Sequence, residues 1–441
     1  MSWIKSLKNS PLVKLSVIFF ISLLLLIPTG MIKDLIWERE NTKNTAISEV
    51  SNKWGKEQQL IGPIISVPYY KYLKQLDNNN ISRTVKVMDY LHFLPEELNV
   101  KGNIDPNKRK RGIYEIVVYS SALEVSGSFE KPDFSKFDIA EENIILNKAL
   151  LSYGIADLHG IEEQVAINWN DRELGFNPGP GERGVFDEGI HLNLDLSDSS
   201  ESKFDFDFKV QLKGSQKLYF APVGKNTNIA LNSSWTNPSF NGAFLPDSHV
   251  VNQQGFEANW TVLNLNRNYP QSWAGSDYRI SSSSFGVDLI LPVDNYQKTY
   301  RSIKYAILFI GLTFLSFFFI EILNKRFIHP IQYILVGLAL VIFYTLLLSF
   351  SEHISFNYAF ISAAVATLGL ICMYVRAILK SLPLTLMLGG ILGILYTFIF
   401  VIIQLQDYAL LIGSLGMFLV LALVMYFSRK IDWYNIKMDK E

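Results

Sequence analysis

The sequence predicts a multi-pass α-helical membrane protein of six spans, with a large mostly-β, sandwich-like domain inserted after the first span. Three observations predict it. Six runs are long and apolar enough to cross a bilayer, Lys and Arg gather on alternate short connections, and residues 33 to 302 form a polar stretch in which apolar and polar residues alternate. Of the 441 residues 49% are hydrophobic and 18% charged, against about 25% charged in a soluble domain. That balance argues against a purely soluble, disordered or nucleic-acid-binding chain. The net charge of −1 hides a split: residues 33 to 302 hold 28 Lys and Arg against 35 Asp and Glu, and the remainder 12 against 6.

The first run, Leu15 to Ile32, follows Lys5, Lys8 and Lys14. A basic start and an apolar middle also describe a cleavable signal peptide. The run is longer than the usual h-region and ends in IPTGMIKDLIWERE, without a small-residue cleavage site, so a retained signal anchor is the reading. Asp34 to Trp54 contains neither Pro nor Gly and is able to prolong the helix.

Strict alternation is the strand signature, because successive side chains face opposite sides of a sheet. It is clearest at Phe204, Phe206, Phe208, Val210 and Leu212, and recurs in His191 to Leu196, Arg111 to Phe129, Gly62 to Tyr72 and Asn259 to Asn266. Turn-rich breaks at 77 to 80, 177 to 184 and 197 to 200 separate strands, and the basic run Lys108 to Arg111 reads as a solvated turn. Residues 91 to 104 echo 218 to 231, and 126 to 133 echo 241 to 247. Two related halves splitting near residue 200 would account for this, and so would chance similarity.

The other five runs are Tyr305 to Leu323, Ile331 to Phe350, Ile354 to Val375, Pro383 to Gln404 and Tyr408 to Phe427. Cationic loops stay in the cytoplasm. Lys325 and Arg326, Arg376 and Lys380, and Arg429 and Lys430 share one side with the N-terminus, whereas the opposite loops offer only Glu352, His353 and Asp407. Both termini are therefore expected in the cytoplasm and residues 33 to 302 outside it. Within the spans, Lys14 is expected to snorkel and Glu321 to pair with Lys325 four residues on. Gly389, Gly393, Gly413 and Gly416, with Ala359, Ala363 and Ala366, are candidate helix-packing positions.

Chemistry is sparse. The lone Cys372 excludes an intrachain disulfide and a multi-cysteine metal site. The letters Gly179 to Gly184 satisfy G-x-G-x-x-G, but a Pro occupies the second place and a strand-like stretch follows, so a surface turn is the reading. His92, His159, His191 and His249 show no metal-ligand spacing. Asp157 and His159, alternating on a strand, would resemble a base oriented by a carboxylate, or an ordinary strand end. No catalytic residue, cofactor or metal is assigned.

The segments Arg111 to Phe129, Gly214 to Thr227, Pro238 to Asp247, Leu265 to Trp273, Gly286 to Glu321 and His329 to Phe356 resemble the CreD family, and the similarity extends over about residues 10 to 430. The resemblance implies a bacterial inner membrane, a periplasmic domain, a role in cell envelope integrity and, in some members, control by a two-component system. It transfers no catalytic residue. The expected organisation is a tail and first span (1–32), the β-rich domain (33–302), a five-helix bundle (303–428) and a cytoplasmic tail (429–441). The expected role is binding, to the bilayer and to an envelope lipid or protein and not to nucleic acid. A transporter of lipid or envelope precursors and a periplasmic hydrolase are the alternatives. Asp288, Asp294, Tyr296, Lys298, Tyr300 and Arg301 are the candidate junction residues, where a strand ending in LPVDNYQKTY is expected to run directly into the second span.

Overall fold

The computed structural model describes residues 11–76, 82–182, 184–197, 201–291, 295–324, 327–405 and 408–429. The chain divides into two compact units, Met1–Lys43 with Val293–Glu441, and Asn44–Pro292.

The first unit is helical. Helices α1 (Pro11–Leu24) and α2 (Leu26–Trp54) meet at Leu25. Pro28 explains the break: it has no N–H, and its ring crowds the carbonyl four residues earlier. Beyond it the helix runs to Trp54 with no further Pro, and Gly55, at a φ of 150° that side-chain-bearing residues rarely adopt, ends it. Then come α3 (Asn295–Lys304), α4 (Ala306–Leu323), α5 (Pro330–Ser351), α6 (Phe356–Leu379), α7 (Leu382–Gln404) and α8 (Ala409–Ser428). His329 caps α5 and Pro330 supplies a pre-set first turn. Among the described residues, six helices are long and apolar enough to span a membrane: the first, within Val13–Trp54, and α4 to α8. Helix α1 packs on α4 and α5, α5 on α6, α6 on α7, and α4 on α7. None of α8 is buried.

The NYQKTY segment corrects the strand reading of the junction. The last strand ends at Leu289, and residues 295–304 are an amphipathic helix burying Tyr296, Thr299, Ser302 and Ile303. Tyr296, Thr299 and Ile303 recur at helical spacing, a period the neighbouring strand pattern obscured.

The second unit is two sheets over one core. The first sheet has the order β13 (Pro238–Gly242), β17 (Phe285–Leu289), β11 (Lys217–Phe220), β1 (Gln58–Leu76), β5 (Ala149–Ile155), β9 (Gly189–Leu194), β8 (Asn177–Pro178); β2 (Ser82–Phe93) also pairs with β1, and β16 (Ser272–Ala274) with β2. The second has β14 (Ser248–Asn252), β15 (Gly255–Leu263), β12 (Asn226–Ser233), β3 (Glu97–Arg111), β4 (Tyr114–Glu130), β10 (Lys203–Ser215), β6 (Ala166–Trp169), β7 (Arg172–Gly175). In β10 burial alternates with the sequence: Phe204, Phe206, Phe208, Val210 and Leu212 face in, and the Asp and Lys between them face out. Rings close the gap between the sheets, Tyr153 edge-on to Phe208 at 5.1 Å and Trp260 against Phe285 at 5.8 Å. Strands from both sides of residue 200 enter both sheets, and the echoing segments 91 to 104 and 218 to 231 each cross between sheets, bringing β3 and β12 together in parallel. The basic run Lys108 to Arg111 ends strand β3, and the turn is the next two residues, Gly112 and Ile113. Cross-strand partners on β4, not loop composition, set that register.

Candidate functional site

Helix α3 carries four of the candidate junction residues and ties three spans together. Asn295 Nδ2 donates to the Ser351 carbonyl at the end of α5 (2.5 Å), and the Tyr296 hydroxyl donates to Glu352 Oε1 (2.9 Å). Lys298 Nζ reaches Gln404 Oε1 at the end of α7 (3.4 Å), and Gln404 in turn donates to Asn357 on α6 (2.5 Å). From α2, Arg39 approaches the same Glu352 at 3.8 Å, and Lys43 lies over the Tyr296 ring. Each partner caps or borders a helix end, where backbone groups lack intrahelical partners. The result is a polar collar at one end of the helical unit.

Beside the collar, Trp37, Glu40, Gln297, Tyr300 and Arg301 line a groove of about 370 Å³. Lys33 and Lys304 place their ammonium groups 5.3 and 5.0 Å from the Tyr300 ring centroid. Arg301 Nε is buried without a hydrogen-bond partner among the described residues.

The opposite end of the unit holds a charge pair that overturns one sequence expectation. Lys14 does not snorkel; it forms an ion pair with Glu321, whose side chain is fully buried. The other bonds to Glu321 come from Ile328 N (2.8 Å) and the Tyr333 hydroxyl (3.0 Å), and Lys14 also lies over the Phe327 ring. The expected partner Lys325 lies outside the described residues. Helical spacing pointed to it; the first span, distant in sequence, supplies a cation that spacing did not suggest.

In the β unit, Asp157 and His159 do touch (2.9 Å), but on a 3-10 turn and not on a strand. Asp157 caps that turn and accepts from Lys56 N (2.8 Å) as well. Burial by itself raises its carboxyl, yet the hydrogen bonds from Lys56 and His159 hold it below the usual carboxylate range. Buried His92 pairs through Nδ1 with Ser66 Oγ (2.9 Å), its cross-strand neighbour, and packs on Trp273. Glu182 Oε2 lies 3.9 Å from its Nε2. This sequence-distant constellation was not legible, because β1–β2 register assembles it. Ser66 is only 2% exposed, so no scissile group reaches it in this conformation. The arrangement instead secures the 177–182 segment, which Ser152 and His191 also hold through Pro180 O and Gly179 O. The glycine-rich letters there form bends before strand β9, as expected of a surface turn, and Arg183 lies outside the described residues.

Asp288 is in strand β17, accepting from Tyr219 (2.8 Å) and Asn241 (2.9 Å). Burial, then this carboxylate, pushes the Tyr219 phenol up. Asp294 lies outside the described residues. Among the small residues, a side chain at Gly389 would crowd Cys372 and one at Gly416 the Phe398 ring, while Gly393 and Gly413 face open space. Ala359 and Ala363 are fully buried and Ala366 is exposed.

Six apolar helices, five of them following an inserted two-sheet domain, define a multi-pass membrane protein. The family model described as Inner membrane protein CreD matches residues 10–434. The inner membrane protein CreD of Escherichia coli (strain K12) is 35% identical over 442 residues, covering 98% of this chain and 96% of its own. The chain belongs to the CreD family of inner-membrane proteins.

Proposed function

We propose that the chain maintains the cell envelope by binding, with residues 33–302 in the periplasm and both termini in the cytoplasm. What carries this reading is the pair of connectors. Helix α2 has Ile32 and Ile36 buried in the helical unit, while its last residue, Trp54, donates to the Tyr119 carbonyl (3.2 Å) and lies under Arg109 and Lys213 in the β unit. Helix α3 holds the ends of α5, α6 and α7 through the collar. A ligand or partner that shifts the β domain would therefore act on span packing without any covalent chemistry. Orientation is supported by Lys14 before the first span, Arg376 and Lys380 at the end of α6, and Arg429 after α8, against Glu352 on the other side.

Two experiments test it. In a Cys372→Ser background, cysteine placed at Leu265, 88% exposed, should react in intact cells with a maleimide that crosses the outer but not the inner membrane. Protection until the inner membrane is lysed would reject the orientation. For the coupling, Tyr296→Phe combined with Asn295→Ala should leave the protein inserted yet sensitise cells to detergent challenge, and deletion of the gene should do the same in the same assay. Wild-type survival at wild-type abundance would end the coupling reading.

A further inference from the structure

The geometry points to a binding site for one anionic phospholipid headgroup in the groove between α2 and α3, its phosphate held by Arg301, Lys33 and Lys304. This does not rest on the envelope reading, since it needs only the helical unit and a bilayer. Lys33 and Lys304 lie over the Tyr300 ring, and Arg301 lines the same groove as Tyr300. None of the three has a carboxylate within ion-pair distance among the described residues, and Arg301 Nε is buried without an acceptor. Glu40 is the one carboxylate lining the groove among the described residues. Like charges this close repel, the more so beside a low-dielectric wall, and a buried guanidinium nitrogen without an acceptor is costly. A bound phosphodiester removes both penalties and offers the oxygen geometry that Arg prefers.

The surroundings favour a lipid over a soluble anion. Trp37 and Tyr300 flank the cations, as aromatic side chains do at the bilayer interface. Along α2 the face toward the span continues through Lys33 and Gly30 to Leu26 and Ile27. Gly30 has nothing within 4 Å of where a Cβ would stand, and Leu26 and Ile27 are exposed. On α4, Ile307 is exposed as well. A headgroup in the groove would thus have an open, apolar path for its acyl chains. The volume of about 370 Å³ suits a headgroup and not a whole lipid.

Trp37 is the reporter. Full-length protein is placed in phosphatidylcholine nanodiscs carrying a small fraction of acyl-brominated phosphatidylglycerol or, separately, brominated phosphatidylcholine. The emission lost in Trp37→Phe isolates this residue from the other tryptophans. Phosphatidylglycerol should quench Trp37 at lower fractions than phosphatidylcholine. Arg301→Gln should weaken the preference about five-fold, the equivalent of about 1 kcal/mol per cation near a membrane surface. Arg301→Lys should retain most of it. Should Arg301→Gln fail to fold, Lys33→Gln and Lys304→Gln, both exposed, carry the same test. Equal quenching by the two lipids, or preference unchanged when all three cations are neutralised, would overturn the site. Inorganic phosphate should not displace the lipid; displacement without any lipid preference would show a free-anion site and overturn the lipid assignment.

Discussion

The two ends of the helical unit treat charge in opposite ways. At one, Lys14 and Glu321 are buried together and every oxygen of the carboxylate has a donor, from Lys14, Ile328 and Tyr333. At the other, Arg301 lines a groove whose Tyr300 ring carries Lys33 and Lys304, and none of the three has a carboxylate partner among the described residues. A paired buried charge specifies how helices meet, because neither partner tolerates a wrong neighbour. An unpaired cluster at an accessible groove specifies a ligand instead. The closed end is therefore read as structure and the open end as a site, although both lie among residues of the same types.

Breaking the closed end should have the largest effect. Glu321→Leu alone leaves Lys14 charged and buried without its carboxylate, and removing one member of a buried pair costs about 3–5 kcal/mol. Thermal unfolding of the detergent-solubilised protein should show the loss. Lys14→Met with Glu321→Leu should recover part of it, because the unpaired charge is gone while Ile328 N and the Tyr333 hydroxyl still lack their acceptor. A double variant as unstable as the single one would show that the pair contributes more than mutual neutralisation. The corresponding neutralisation of Arg301, Lys33 and Lys304 should not lower the melting temperature, since it removes repulsion and no ion pair.

The β unit extends the comparison through His92, a titratable group buried inside its own hydrogen bonds. Burial, opposed only in part by Asp89 and a backbone bond to Gly275, lowers its imidazole to about 4. An unfolded His takes up its proton near 6.5. Between these values the unfolded chain binds the proton and the native one does not, so stability is full above about pH 6.5 and falls with pH down to about 4. The loss approaches about 3 kcal/mol for this one group. Denaturant midpoints of the β-sheet signal measured across that window should show the slope, and His92→Gln should flatten it. An unchanged slope would assign the pH dependence elsewhere.

What was legible in the sequence follows from range. Period and length sufficed for the six spans and for strands such as β10, because the buried face of each recurs within the element itself. The helix at 295–304 was missed because its buried residues Tyr296, Thr299 and Ile303 sit among polar ones and directly follow a strand. The Lys14–Glu321 pair was missed because helical spacing favoured Lys325, and only the packing of α1 on α4 brings the distant cation in. For the groove, Tyr300 and Arg301 were singled out as junction residues, but their partners Lys33 and Trp37 come from α2, more than 250 residues earlier. Local pattern fixes elements; the sites arise where elements distant in sequence meet.

Glycine separates the two ends by the smallest effects, and by sign. A methyl group at Gly337 on α5 would collide with Leu25 and press on Phe314, where the first span is packed into the unit. Gly337→Ala should therefore cost about 1–3 kcal/mol as overpacking. At Gly30, next to the open groove, the same methyl meets nothing. There the helix gains up to about 1 kcal/mol from reduced backbone freedom, so Gly30→Ala should melt slightly higher than the parent. If α2 were closed against a neighbour at Gly30 as it is near Leu25, both substitutions would destabilise. Opposite shifts in thermal unfolding would establish that the face below Lys33 is vacant space, which an acyl chain needs and a packed helix interface lacks.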